Sequence, residues 1–546
     1  MKNKKTISQW ILAAAFVQSF ATAGIAQSNL GADCGCPTPV SSRPTVLLST
    51  LAVSGGATDG DLTAVNTILT CDKTWILDKK IFVPDGKSLT IQPGTVIKGN
   101  DTITVPANAA ALIVTRGGKI FANGTPTCQI VFTSQSDNLS GTYGVTNRGK
   151  WGGVVILGRA VNNIQSCNTL YGGSPGVAYI EGFTAANPRD LHGGTDNDDN
   201  SGIFRYVSIR HSGAILSTGN ELNGLSLGSV GRGTTIYHIE IVSSDDDNIE
   251  VFGGTVNLKH ITMMFGADDG LDWDLGWTGK AQFIFNLQTD SITSPTGDNG
   301  FEADATDQKN NSASPRSHPF IYNATMIGSG KRLNVGDNSG HNAINAKELT
   351  EGEIYSSVFA NFNHGLNLAK SLGSPSGCGS HTSEAYDNWI AGSLKVKCNT
   401  FIMMNDATNS QYLTVDNNIS NVLASDITKF DGDGNLHPTG AAPIPGFDHV
   451  WAMNSSTNAV SDKFDAIPNP ALSTTCTPPS DGFFQTANYR GAFASSGQSW
   501  LSPWAYATVL SVTAGLQPCP TDINGDGITN NVDFLQLLGQ FNQACQ

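Results

Sequence analysis

The stretch His238-Ile239-Glu240-Ile241-Val242-Ser243-Ser244-Asp245-Asp246-Asp247-Asn248-Ile249-Glu250 is answered 22 residues later by His260-Ile261-Thr262-Met263-Met264-Phe265-Gly266-Ala267-Asp268-Asp269-Gly270-Leu271-Asp272. Histidine falls on histidine, isoleucine on isoleucine and the acidic run on the acidic run. Within each copy, short β-rich runs stop at Gly, Asn, Asp or Ser, which is the pattern of brief strands separated by turns. No segment of helical period lies between them, so α/β units are excluded. A unit this short cannot bury its apolar side alone and must stack on its neighbours. The expected fold is all-β: a right-handed parallel β-helix with one coil per period, its hand following the rule for parallel crossovers. Gly and Asn are expected at the corners, where the backbone needs positive φ. A leucine-rich repeat would need its spaced leucines and asparagine, and a β-propeller a period of about 40–50 residues. Neither pattern is present.

Toward the N-terminus the step is 23 residues: Leu89 to Leu112, Gly94 to Gly117 and Ile97 to Ile120. The runs LTIQPGTVIKGN from Leu89, LIVTRGGKIFANGT from Leu112, KWGGVVILGRA from Lys150 and VFGGTVNLKHI from Val251 resemble a family of secreted bacterial parallel β-helix proteins. The resemblance spans roughly residues 74–368. It implies the fold and leaves activity open, because members are mostly uncharacterised.

The chain has 546 residues, 60 of them glycine, with only 14% charged residues and a formal net charge of −15. Such acidity argues against nucleic acid or anionic membrane as a partner and for cations, calcium among them. The basic start Met1–Lys5, the largely apolar run Trp10–Ala26, and the small residues Gly24 and Ala26 read as a signal peptide cut before Gln27. No later apolar run reaches membrane length. The expected organisation is a signal peptide at 1–26, a linker and cap at 27–70, the β-helix at 71–372, an irregular β continuation at 373–518 and a tail at 519–546. In an exported chain, ten cysteines at wide spacings read as disulfides. The pairs expected are Cys71–Cys128, Cys378–Cys398 and Cys519–Cys545.

The tail carries a specific motif. Asp522, Asn524, Asp526, the Ile528 carbonyl, Asn530 and Asp533 occupy positions 1, 3, 5, 7, 9 and 12 of an EF-hand loop, with Gly527 at 6. The following VDFLQLLGQF has helical spacing. Loop and helix resemble a dockerin repeat, which implies calcium as the ion. Dockerins usually carry two repeats and this chain has one, which argues against cohesin docking. The acidic DGDGN at 431–435 lacks the glycine and the closing acid of such a loop.

A second acidic feature lies in the body. Asn223-Gly224-Leu225-Ser226, Asp247-Asn248-Ile249-Glu250, Asp269-Gly270-Leu271-Asp272, Asn299-Gly300-Phe301-Glu302, Asn342-Ala343-Ile344-Asn345 and His364-Gly365-Leu366-Asn367 share one pattern. The third residue is expected to face inward and the fourth outward, so that Glu250, Asp272 and Glu302 line a face about 4.8 Å apart. Stacked carboxylates repel and need a cation, shared protons or strong solvation. Three readings stand: solvated turns with asparagine ladders, a calcium or sugar site, or catalysis. Polygalacturonases share the β-helix and place aspartates one coil apart, as Asp247 lies from Asp268 and Asp269, which would act as general acid and water-activating base. Their Gly-His-Gly and Arg-x-Lys motifs, which lie downstream of the aspartates, do not occur downstream here. A calcium-dependent lyase would need a basic residue, for which Arg205 and Arg210 are the candidates.

Lesser signals are Gly224-Leu225-Ser226-Leu227-Gly228, which matches GxSxG without strand–turn–helix context, and His238 with His260, expected as a surface stack. Trp273 and Trp277 fit a sugar platform or a core cap equally. The chain therefore reads as a secreted structural or polysaccharide-adhesive protein stiffened by calcium. The alternative is a polysaccharide hydrolase or lyase.

Overall fold

The computed structural model describes residues 30–506 apart from stretches within that span, the longest at 330–340, 439–452 and 461–474. The expected signal peptide at 1–26 and the expected EF-hand tail at 519–546, with Cys519 and Cys545, lie outside the described residues.

The body is a parallel β-helix. Among the described residues, sixteen strands form one sheet and twelve a second, and successive coils pair in parallel. The chain leaves the first sheet at Thr235–Val242, enters the second at Ile249–Gly254, and returns to the first at Asn257–Met264. The 22-residue step is one coil. Ile239 pairs with Ile261 and Ile249 with Leu271, and the columns continue through Ile284 and Phe301. These side chains are no more than 1% exposed and form a continuous core between the sheets. The alternation that puts Ile249 and Val251 inward puts Glu250 on the opposite face.

The N-terminal step is different. Leu89 pairs with Ile120 and Ile97 with Phe132, whereas Leu112 pairs with Ile81. The 23-residue similarity therefore relates one corner of the coil to the next corner, and does not relate stacked positions. A strand, a glycine turn and a second strand look alike at every corner.

The main corner also departs from the glycine and asparagine expectation. Tyr206, His238, His260, Phe283, Asn323, Ser356 and Cys398 occupy one position on successive coils, all with φ between 49° and 58°. The left-handed conformation costs a side-chain-bearing residue about 1–2 kcal/mol. Ring stacking offsets this: Tyr206 lies over His238 at 4.4 Å, His238 over His260 at 4.5 Å, and His260 over Phe283 at 5.0 Å between centroids. The histidines form the expected stack, but it is buried, not superficial: both are 1% exposed, beneath Trp500 and Trp504.

Those tryptophans belong to a strap that runs along the outside of the first sheet. Lys259 Nζ donates to the Phe483 carbonyl at 2.8 Å, Gln282 and Gln485 exchange two hydrogen bonds, and Asn323 Nδ2 donates to the Tyr489 carbonyl at 3.0 Å. Successive coils thus hold successive strap residues. The coil stack itself runs past residue 372, since Leu394–Lys397 and Leu413–Val415 add to the two sheets. Two α-helices, Ala385–Ala391 and Ala424–Gly432, are inserted there.

The disulfides overturn two expected pairs. Cys34 joins Cys128, Cys36 joins Cys71 and Cys398 joins Cys476, so neither Cys71–Cys128 nor Cys378–Cys398 forms. The N-terminal segment folds back on the turn at Pro93-Gly94, bringing two cysteines that sequence distance did not suggest. Gly94 and Gly31 meet back to back there; a Cβ on Gly94 would lie 2.7 Å from Cys36 Sγ. Arg43 Nη1 donates to the Gly94 carbonyl at 2.9 Å and locks the segment down.

Because Ile249 and Leu271 stack at the centre of the core, Leu271→Ala should cost about 2–5 kcal/mol of stability. Ile249→Asp should abolish folding by burying an unpaired charge. Urea unfolding followed by circular dichroism measures the first, and loss of the folded signal reports the second.

Candidate carboxylate site

Each coil enters the second sheet through the same four-residue pattern, so its polar positions become columns. The first column is Asn223, Asp247, Asp269, Asn299, Asn342 and His364, and it is a hydrogen-bond ladder. Asp247 Oδ1 accepts the Asp269 amide at 2.9 Å, Asp269 Oδ1 the Asn299 amide at 2.5 Å, and Asn299 Oδ1 the Asn342 amide at 3.0 Å. The side chain of one coil thus fixes the backbone of the next.

The other column is Ser226, Glu250, Asp272, Glu302, Asn345 and Asn367, aligned by strand register. Its ends are satisfied. Asn223 Nδ2 donates to Glu250 Oε2 at 2.6 Å, Asn299 Nδ2 to Glu302 Oε2 at 2.8 Å, and Asn367 Nδ2 to Asn345 Oδ1 at 2.9 Å. Lys347 pairs with Glu302 at 2.5 Å and with Asp304 at 3.3 Å. In the middle, Asp272 Oδ1 is buried with no hydrogen-bond partner among the described residues, as is Asn223 Oδ1 in the first column.

The columns meet in three groups of carboxylates whose oxygens lie within 4.8 Å of one another: Asp246, Asp247 and Asp268; Asp247, Glu250 and Asp272; Asp268, Asp269 and Asp298. The outward face is not the solvated surface that alternation alone implied. Asp247, Glu250 and Asp269 are 7%, 8% and 4% exposed. Part of the crowding comes from outside the repeat. Glu181, from the long insertion before Gly202, and Glu221, from the hairpin Ile215–Glu221, add their charges to those of Asp246 and Asp268.

Burial, then neighbouring negative charge, shifts these groups in one direction. Asp246 is pushed up to about 8, with Asp268, Glu181 and Glu221 as its charged neighbours. Glu181 rises to about 7, and Asp268, at the rim, to about 6. Asp247, Glu250, Asp269 and Asp272 lie well above the ordinary carboxylate range for the same reasons. Such a site takes up protons, or a cation that replaces them. Oxygens sharing one calcium ion lie no more than about 5 Å apart, and each group falls within that limit.

Other candidates resolve away from this site. Trp273 and Trp277 are at most 1% exposed and belong to the core, so they form no sugar platform. Ser226 sits in mid-strand and is fully buried. Arg205 and Arg210 lie in the first sheet; Arg210 is buried, with Nε on Ser208 Oγ at 2.8 Å and its guanidinium 4.2 Å from the Tyr506 ring centroid. Neither is among the charges that shift the carboxylates. Asp304 and Lys347 were within reach of sequence, since alternation places them two residues after Glu302 and Asn345. Nothing local marks Glu181 and Glu221.

A family model for a pectate-lyase-like β-helix domain matches residues 60–445, and the chain belongs to that family. No curated protein and no solved structure matches it. Family and disulfides point to an extracellular protein. No helix among the described residues is long and apolar enough to cross a membrane. The family states a scaffold, and scaffolds host many activities.

The raised carboxylates have a consequence for stability. Their folded pKa values exceed the unfolded values near 4, so the folded chain holds the extra protons and loses stability as pH rises through the folded values. Buried His238 and His260, held well below their ordinary pKa by desolvation, act oppositely, but only below about 6.5. Between pH 6.5 and 8.5, a span that contains the values of Asp246 and Glu181, the melting midpoint in EDTA should therefore fall. Asp246→Asn should flatten the decline. A midpoint that is level or rises in wild type contradicts the assignment.

Proposed function

We propose that this member of the pectate-lyase-like β-helix family is a secreted polysaccharide-binding protein. In this reading its carboxylate ladder holds a divalent cation and, through it, the acidic groups of a glycan. What carries the proposal is the convergence of Asp247, Glu250 and Asp272 oxygens within 4.8 Å, together with the buried, unpartnered Asp272 Oδ1 and Asn223 Oδ1. An all-oxygen site on adaptable side chains suits calcium better than softer metals. Carboxylates from a glycan would complete its shell. The tail loop of Asp522, Asn524, Asp526, Ile528, Asn530 and Asp533 is a second calcium site in this reading, and the signal peptide at 1–26 provides export.

One observation favours the enzymatic alternative. Asp246 at about 8 and Asp268 at about 6 are split, which near neutral pH leaves one protonated acid beside one ionised carboxylate, as acid–base hydrolysis needs. Against a lyase stands Lys347, whose pKa is raised by Asp304 and Glu302, so that it keeps its proton and serves poorly as a base.

In a chain ending at residue 518, millimolar calcium at pH 8 should raise the melting midpoint by several degrees through mass action. Asp272→Asn combined with Glu250→Gln should remove that rise. Polygalacturonate should retain the wild-type protein more strongly in calcium than in EDTA, without reducing ends forming. If reducing ends appear and Asp247→Asn or Asp269→Asn abolishes them, the hydrolase reading holds instead. For the tail, calorimetry on a peptide spanning Cys519–Cys545 should show calcium binding that Asp522→Ala removes.

A further inference from the structure

A second groove lies at the other end of the second sheet. Strands Lys80–Val83, Ala111–Val114 and Gly153–Leu157 pair in parallel, in register, on consecutive coils. The residues that follow them, Asp85, Arg116 and Arg159, are thereby brought together, and the segment 188–196 forms the facing wall. The space between is about 720 Å³, within the range of small-molecule sites and large enough for a few sugar rings. Gly117, at φ +81°, keeps the groove open, since a Cβ there would strike Asp85 and Arg159.

The three arginines of this groove are not equivalent. Arg189 is committed, with ion pairs to Asp59 at 2.8 Å and to Asp61 and its guanidinium 4.1 Å from the Phe82 ring centroid. Arg159 turns Nη2 to Asp85 at 2.8 Å. Arg116 forms no ion pair among the described residues. Its hydrogen bond runs from Nη1 to the Gly193 carbonyl at 3.1 Å, which leaves most of its five N–H groups available. Its charged neighbours are Arg159, of like sign, and Asp85. A half-buried guanidinium without a carboxylate of its own, beside a second guanidinium, is unusual on a chain of net charge −15. The planar fork of Arg116 matches a carboxylate or sulfate in two-point contact.

We propose that this groove is an anion subsite for an acidic saccharide, with Arg116 gripping a carboxylate or sulfate on a sugar ring and Arg159 supporting it. The subsite rests on the glycan assignment made above but needs no metal ion. It supplies donors where the carboxylate ladder supplies acceptors.

The test is titration calorimetry of the full chain in EDTA with trigalacturonate, with a sulfated disaccharide and with neutral maltotriose. One or both anionic probes should bind, which identifies the preferred oxyanion, and maltotriose should not. Arg116→Gln should weaken binding at least tenfold, since a charge-assisted pair is lost. Arg116→Lys should retain part of the affinity, and Lys395→Gln, whose ion pair with Glu353 lies on the first sheet, should change nothing. Unchanged melting shows that the Arg116 variants fold; should they not, the exposed Arg159→Gln serves, with a several-fold loss expected. Equal affinity for maltotriose, no binding of any probe, or anion binding indifferent to both arginines overturns the proposal. Loss of calcium-dependent retention with EDTA binding intact would overturn the cation reading and leave this one standing.

Discussion

Every side chain in a parallel coil stack sits one strand spacing, about 4.8 Å, from its counterpart above and below. Residues must therefore tolerate their own kind at contact distance. Aliphatic side chains do so in the core column of Ile239, Ile261 and Ile284. Rings do so at the corner, where Tyr206, His238, His260 and Phe283 stack. Amides do so on the second sheet, because Asn345 and Asn367 can each donate and accept. Carboxylates cannot. An ionised carboxylate only accepts, so at Glu250, Asp272 and Glu302, and at Asp247 and Asp269 beside them, the stack works against itself.

Two segments outside the coils pack against the outer face of the first sheet. The N-terminal segment is pinned through Cys34–Cys128 and Cys36–Cys71. The strap along the first sheet is tied by Cys398–Cys476 and by side chains of successive coils. The strap lies beyond the span of the family match, residues 60–445. Its tryptophans cover the ring column and keep both histidines neutral.

The two polar sites follow opposite chemistry on one sheet. At the ladder, oxygens converge without donors enough to satisfy them, and Lys347 reaches only the Glu302–Asp304 end. At the groove, Arg116 brings donors without a carboxylate of its own. Protons or a cation at the first, and an oxyanion at the second, would satisfy the unmatched groups. A polyanionic glycan with associated cations is one class of ligand that offers both.

Sequence by itself determined the coil: the recurrence of Ile239 at Ile261 and of Ile249 at Leu271 declares both the period and the inward face, because strand alternation is a rule of nearest neighbours. It also placed Glu250, Asp272 and Glu302 in one column, and Asp247 and Asp269 in the column beside it. It misread Leu89 and Leu112 as stacked, because every corner of the coil uses the same strand–glycine–strand pattern. Only the tertiary structure decided that Trp273 and Trp277 belong to the core, that Cys71 and Cys128 take partners from the N-terminal segment, and that Glu181 and Glu221 crowd the ladder. The reason is physical. Alternation dictates which way a side chain points from its own strand, but what covers that face depends on insertions and segments far away in the chain, whose path no local pattern encodes.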